Sequence, residues 1–349
     1  MEVVGYQAQA PGGPLQRSTL TRRDLRADDV AVRVTFCGVC HSDLHALHTS
    51  VEDGGVYPLV PGHEFVGEVI AVGPAVTGFA VGDSVAVGNI VDSCGECSMC
   101  RAGQENFCVQ FPTLTYGGTD RYGDGPTLGA YSSAYVVRDR FVYRRPANLD
   151  PAGVAPLMCA GITVWEPLRR WQIGPGSRVG VVGLGGLGHL AVKFAHALGA
   201  EVSVFTTIAE KAHDAKVLGA EVVVISTDET EMTAQENRFD LIIDTVPIDH
   251  DLAPYLRCVA LDGTLCSVGY LGPVTIETIG LLIGRKSLSS AGSGGHAHTQ
   301  DMLDFCGAHG ITADVEVLPS AQLQVALDRL ARNDVRYRFV LDLTDLPVG

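Results

Sequence analysis

The chain has 349 residues, of which 46% are hydrophobic and 19% charged, and a formal net charge of −15. That length favours two domains over one, and that apolar content excludes a disordered chain. The acidic balance argues against nucleic acid as a partner, because a phosphate backbone would repel it, and no apolar run is long enough to imply a membrane role.

The opening MEVVGYQAQA reads as a short strand and loop and not as a secretion signal, so a cytoplasmic protein is the expectation. Residues 1–150 are β-rich. Runs at 30–36, 65–72, 84–87 and 131–137 are separated by Gly, Pro and Asp, as in a small closed barrel. The texture changes at about 151. Residues 157–171 read as a helix that Pro167 could break, followed by the stretch RVGVVGLGGLGHLAVKFAHALGAEVSVFT at 178–206. A strand at 178–182 enters a turn in which Gly183, Gly185 and Gly188 fill G-x-G-x-x-G; a helix runs from about 187 to 198 and a strand from 202 to 205. Such a unit binds a dinucleotide. The glycines allow a tight turn, a close backbone approach to pyrophosphate and close helix packing, and the helix N-terminus faces the phosphates. Leu184, Gly186 and Leu187 complete that turn. The phrase Leu-Gly-Ala-Glu-Val occurs at 198 and again at 218, one βα module beside the next, and further strands are expected at 241–244, 264–268 and 287–290. A glycine loop at 291–295, helices at 299–309 and 320–331 and a strand at 337–342 form a tail that must pack elsewhere, the first domain being its host. The expected domains are therefore 1–150 with 291–349, and 151–290.

The ten cysteines read as reduced thiols. Cys94, Cys97, Cys100 and Cys108 fall within fifteen residues, and four thiolates so spaced close a tetrahedron round Zn²⁺ with no open position, a structural site. A looser set is Cys40, His63 and Cys159. Taken singly, Cys159 reads as a core thiol and His63 as a turn histidine, and spacing alone does not assemble them. A Cys₂His set with an open fourth position is nonetheless a known catalytic zinc arrangement.

Cys40-His-Ser-Asp-Leu-His, Gly62-His-Glu, the four-cysteine loop, Pro156-Leu-Met-Cys-Ala-Gly-Ile-Thr, Gly183-Leu-Gly-Gly-Leu-Gly and Asp334-Val-Arg-Tyr-Arg-Phe-Val together resemble zinc-dependent medium-chain alcohol dehydrogenases, the cinnamyl alcohol dehydrogenase group above all. The resemblance implies a GroES-like barrel domain with a Rossmann doubly wound parallel-sheet domain inserted before its tail. It implies two zinc ions per chain: a catalytic one on Cys40, His63 and Cys159, and a structural one on the four-cysteine loop. Cys37 is then no ligand, and Glu64 is a carboxylate behind the metal. Ser42 and His45 match a proton relay; the bland alternatives are a helix-capping serine and a surface histidine. His41 is expected to be structural or to contact coenzyme phosphate. Thr163, Thr245 and Gly269 join the glycine turn as coenzyme contacts. The function implied is interconversion of primary alcohols and aldehydes, aromatic, allylic or medium-chain, by hydride transfer, with the site expected in the cleft between the domains. A homodimer through the sheet edge near 286–290 is implied as well.

An acid at the end of the second Rossmann strand selects NAD. Here that position is Thr206, followed by Thr207 and, one turn on, Lys211, which suits the 2′-phosphate of NADP(H); Ile208 stands where a third hydroxyl is usual, and the nearby Glu210 would weaken phosphate binding. Leu47, Leu114, Tyr116 and Trp165 are substrate-pocket candidates by position. His296 and His298 could form a further metal site. A reductase of C=C or C=N bonds is the alternative on this fold, separable by asking whether an enal gives saturated aldehyde or allylic alcohol. A non-catalytic nucleotide-binding protein would have no reason to keep an open zinc site with a relay.

Overall fold

The computed structural model describes every residue except Asp124, Leu271 and Gly349. The chain divides into two compact units, Met1–Cys159 with Gly294–Gly349, and Ala160–Ser293.

In the first unit β1 (Glu2–Gln7) pairs antiparallel with β2 (Gln16–Thr21). The long β3 (Asp29–Val39) organises the rest. It pairs antiparallel with β4 (Phe65–Val72), which continues to β5 (Ser84–Val87). A small ribbon, β6 (Ile90–Asp92) with β7 (Thr113–Leu114), flanks the four-cysteine loop. Next, β8 (Ala134–Arg138) covers the first half of β3, and β9 (Val142–Arg144) pairs with β5. With neighbours over its whole length, β3 buries Val30, Val32, Val34 and Val39 at 1% exposure or less. Each such valine contributes roughly 1.5–3 kcal/mol of hydrophobic free energy.

Residues 151–159, assigned to the second domain from the sequence, pack with the first unit. The short helix Pro151–Val154 and the 3₁₀ turn Ala155–Met158 lie against β3 and β4 and bury Val154, Leu157 and Met158 completely.

In the second unit β10 (Arg178–Val182), β11 (Glu201–Thr206), β12 (Val222–Ile225), β13 (Phe239–Asp244), β14 (Val259–Ser267) and β15 (Ser287–Ser290) form a parallel sheet. Its order, β12-β11-β10-β13-β14-β15, is that of the doubly wound dinucleotide fold, and the order reverses between β10 and β13. Helix Ala160–Arg170 precedes the sheet and carries Pro167 without ending there. Burial of Ile162, Trp165 and Leu168 at 1% exposure or less outweighs the one hydrogen bond that proline removes.

The tail belongs to the first unit. Helix His296–His309 starts one turn earlier than the sequence suggests. The buried Glu105 carboxylate accepts the His296 N–H at 2.9 Å and fixes that start. Then β16 (Val315–Pro319) pairs parallel with β17 (Arg338–Asp342), and β17 lies antiparallel to the second half of β3, Val340 opposite Gly38.

Candidate active-site residues

The end of β3 delivers Cys40, in extended backbone (φ −122°, ψ 155°), to the start of helix His41–His48. His63 follows the turn before β4, and Cys159 follows the 3₁₀ turn Ala155–Met158. Their ligand atoms lie within 4.8 Å of one another, with Cys40 Sγ 3.9 Å and His63 Nε2 3.1 Å from Cys159 Sγ. Three residues spread over 119 positions thus converge in one unit.

The surroundings orient these donors. Asp43, fully buried, accepts the backbone N–H of Cys40 (2.9 Å) and of Gly62 (3.0 Å), the Tyr131 hydroxyl (2.8 Å) and His63 Nδ1 (3.2 Å). His63 therefore carries its proton on Nδ1 and turns Nε2 toward the two thiols, the arrangement that orients metal-ligating histidines. Burial alone would lower the imidazole; the charge of Asp43 and its hydrogen bond override this and raise it. The hydrogen bond from Cys159, with Arg338 and His63 nearby, holds the Cys40 thiol well below its ordinary range, and the same contact plus burial push Cys159 up. Glu64, 0% exposed, accepts Arg338 Nη2 at 2.5 Å through Oε1, while Oε2 has no partner among the described residues. Burial pushes its carboxyl up to about 7 against the pull of Arg338. A Cβ on Gly38 would stand 2.2 Å from Glu64 Oε1, so only glycine admits that carboxylate beside β3. Two thiols, an oriented imidazole and a buried carboxylate oxygen without a partner fit a zinc ion.

The four-cysteine loop fits one too. All four Sγ atoms lie within 4.8 Å, with Cys94–Cys100 at 3.9 Å and Cys97–Cys100 at 3.5 Å. Four sulfurs about 2.3 Å from zinc are about 3.8 Å apart in a tetrahedron. The backbone N–H groups of Cys100 and Val109 lower the Cys97 thiol to about 6.

Among the relay candidates, Ser42 Oγ is 3.7 Å from Cys40 Sγ, and His45 is exposed three residues on. Of the pocket candidates, Tyr116 meets the His63 ring edge-on at 5.5 Å, and Leu114 packs beside the barrel core. Leu47 is a member of that core, and Trp165, 1% exposed, packs edge-on to Phe194 inside the second unit. The His296 ring stacks on Tyr143 at 5.2 Å, and the clusters of metal-ligating side chains among the described residues do not include His296 or His298.

In the second unit Gly183 has φ +85°, and a Cβ on Gly188 would meet Gly183 O at 2.1 Å, so the turn itself requires both. A Cβ on Gly185 would meet nothing within 4 Å. Protein packing therefore does not require a glycine at that position. Lys211 Nζ reaches back to Leu184 O (3.0 Å), bringing its ammonium to the turn, and Thr206 Oγ1 accepts the Ile208 N–H at 3.1 Å. Thr207 is exposed beside them. Thr245 Oγ1 donates to Val182 O at 2.8 Å, and Thr163 Oγ1 accepts the Ser293 N–H at 3.3 Å.

Asp43, Arg338 and Tyr131 are the functional neighbours that sequence reading did not single out. Asp43 stands inside the quoted Cys-His-Ser-Asp-Leu-His phrase and Arg338 inside the quoted Asp334-Val-Arg-Tyr-Arg-Phe-Val phrase, but Arg338 is 274 residues from the Glu64 it pairs with, so its role does not show in sequence.

A doubly wound dinucleotide sheet and an open thiolate–imidazole site in one chain define a metal-dependent oxidoreductase. Residues 26–147 match the alcohol dehydrogenase GroES-like domain and residues 186–308 the zinc-binding dehydrogenase domain. The chain is 46% identical over 353 aligned positions to an aldehyde reductase of Escherichia coli, covering 99% of this chain and 100% of that one. A cinnamyl alcohol dehydrogenase of Sorghum bicolor superposes with TM-score 0.94 at 41% identity, over 99% and 98% of the two chains. One from Helicobacter pylori, solved with NADP(H), gives 0.91 at 32%, over 99% of each. The chain belongs to the zinc-dependent medium-chain alcohol dehydrogenase family.

Proposed function

We propose that this enzyme interconverts primary alcohols and aldehydes of aromatic, allylic or medium-chain type, with NADP(H) as coenzyme and two zinc ions per chain. The observation that carries the reading is the convergence of Cys40, His63 and Cys159 in front of an ordered Asp43 and an unpartnered Glu64 oxygen. When bound, zinc supplies Lewis acidity toward a substrate oxygen and NADP(H) supplies or accepts the hydride. Cys40, His63 and Cys159 hold the metal, and Asp43 keeps Nε2 of His63 free for it. Ser42 and His45 are the inner and outer residues of the proton path, and the exposed His45 ring exchanges the proton with water. Gly185 admits the pyrophosphate, and Lys211 with Thr206 and Thr207 receives the 2′-phosphate. A reducing, cytoplasmic compartment suits both thiolate sets. Among the described residues no helix is long and apolar enough to cross a membrane. The partner we assign is a second copy of the chain, met along the open edge of the Rossmann sheet.

The test is NADPH oxidation by the zinc-loaded chain against aldehydes of graded size and aromaticity, with NADH in parallel. Turnover of cinnamaldehyde-like or medium-chain aldehydes to alcohols supports the reading. A lower KM for NADH than for NADPH removes the coenzyme assignment, and saturated product from an enal removes the reaction.

A further inference from the structure

β13 ends on Asp244, a carboxylate that the chemistry above does not use. It is 0% exposed and stands at the C-terminal edge of the sheet, opposite Val182 of β10 and Ser267 of β14. Oδ1 accepts the Val246 N–H at 3.1 Å. Oδ2 has one polar neighbour among the described residues, His250 Nε2 at 3.4 Å, and that nitrogen is also without another partner. The other ring nitrogen, Nδ1, sits 3.0 Å from Ile248 O and so carries a hydrogen. In a neutral imidazole of that tautomer, Nε2 presents a lone pair. Facing an ionised carboxylate, it would be repelled. The contact is attractive only when one proton resides between Nε2 and Oδ2.

The segment so held borders the dinucleotide end of the fold. Thr245, next to Asp244, donates to Val182 O and has its hydroxyl 3.3 Å from Gly183 O in the glycine turn. The Asp244 carbonyl accepts the N–H groups of Val268 (2.9 Å) and Gly269 (3.2 Å), so the turn after β14 hangs on the same residue. His250 folds residues 246–250 back over the strand end and rests its ring edge-on to Tyr255 at 5.9 Å.

We propose that Asp244 and His250 form a one-proton latch that positions the Thr245 and Gly269 turns for the coenzyme, and that losing this proton as pH rises weakens coenzyme binding. Both are positioning residues, and the inference rests on the coenzyme site assigned above. Burial raises the Asp244 carboxyl, which favours keeping the shared proton. The other titratable groups facing the pair are Tyr255 and, on β14, Cys266, with Asp251 and Cys258 facing Tyr255 and Glu166 and Arg170 facing Cys266. Burial raises Tyr255 and pushes Cys266 up to about 12, so both stay protonated across the neutral range.

The experiment measures NADPH and NADH dissociation constants by fluorescence titration of the full zinc-loaded chain from pH 6 to 9, for wild type, H250F and D244N. Each variant is read as a ratio to wild type at the same pH, which cancels titration of the coenzyme phosphate and of Lys211. H250F removes the latch and should weaken binding about five- to tenfold at pH 6, the ratio falling toward one at pH 9 as wild type loses its own proton. D244N supplies a permanent N–H donor to Nε2, so it should bind as wild type does at pH 6 and more tightly than wild type at pH 9. An H250F ratio of one throughout, or a D244N ratio that does not move with pH, overturns the latch. If wild type binds NADH in preference to NADPH, the 2′-phosphate assignment fails, and the same ratios taken with NADH still decide the latch.

Discussion

Two glycines of one turn, Gly185 and Gly188, do different work, and substitution separates them. Gly188 carries no side chain because a Cβ would meet Gly183 O at 2.1 Å. G188A should therefore cost about 1–3 kcal/mol of stability, as overpacking does, seen in urea unfolding. G185A meets nothing within 4 Å and should leave stability within about 0.5 kcal/mol. The same G185A should raise KM for NADPH by about tenfold or more, because its methyl stands where the pyrophosphate must approach. Equal effects of the two substitutions on stability would show that the turn is shaped by packing alone. Asp43 offers a second test at this scale. D43N keeps one acceptor oxygen, turns an NH2 toward the donors on the other side, and loses the charge that faces His63 Nδ1. Removal of such outer-shell carboxylates typically weakens metal binding about 10- to 100-fold. On dialysis against a mild chelator, D43N should fall from two zinc ions per chain to one while wild type keeps both, read by elemental analysis.

At the scale of elements, the four-cysteine loop and helix His296–His309 act as one body through Glu105. Its carboxylate takes the His296 N–H at the positive end of that helix and pairs with Arg140. Burial alone would raise this carboxyl; the hydrogen bonds from His296 and Arg140 win and hold it below its ordinary range. A carboxyl depressed on folding stabilises above its unfolded pKa, and the effect is lost as pH falls through the folded pKa. E105Q should thus cost about 1.5–3 kcal/mol at pH 7, the range for hydrogen bonds to a charged group, with the difference from wild type shrinking below pH 4. Hydrogen exchange should quicken at amides 296–300 and stay unchanged in β10. This coupling also explains an element boundary that sequence could not give. Gly295 and His296 lack a side-chain cap of their own, so the helix appeared to begin at 299. The cap comes from residue 105, 191 positions away. Pro167, which could have broken its helix, does not, since burial of its neighbours keeps the helix intact.

At the scale of the molecule, the local parts were legible and the long-range parts were not. The doubly wound sheet shows in repeated phrases and glycine stops, because parallel strands and their helices are neighbours in sequence. The four-cysteine loop shows because its ligands share one loop. Cys40, His63 and Cys159 needed a family resemblance to be joined, since three distant elements deliver them. Asp43 and Asp244 stayed hidden because the groups that define their roles come from elsewhere in the fold. The open edge of the Rossmann sheet is a further long-range feature. β15 pairs only with β14 among the described residues, and the segment leading into it exposes Ile279 (52%), Leu282 (71%) and Ile283 (64%). An unpaired edge beside exposed apolar side chains invites a partner strand. The chain's formal charge of −15 opposes association at low salt, so in such a pair burial of these side chains would have to provide the attraction. Pairing of β15 with its own copy across a two-fold axis satisfies both edges at once and produces a closed dimer instead of a fibre. Light scattering after size exclusion should give twice the chain mass at micromolar concentration. L282D with I283D should give a monomer that retains both zinc ions and its coenzyme affinity. A wild-type monomer at that concentration, or a double variant that stays dimeric, would place the interface elsewhere.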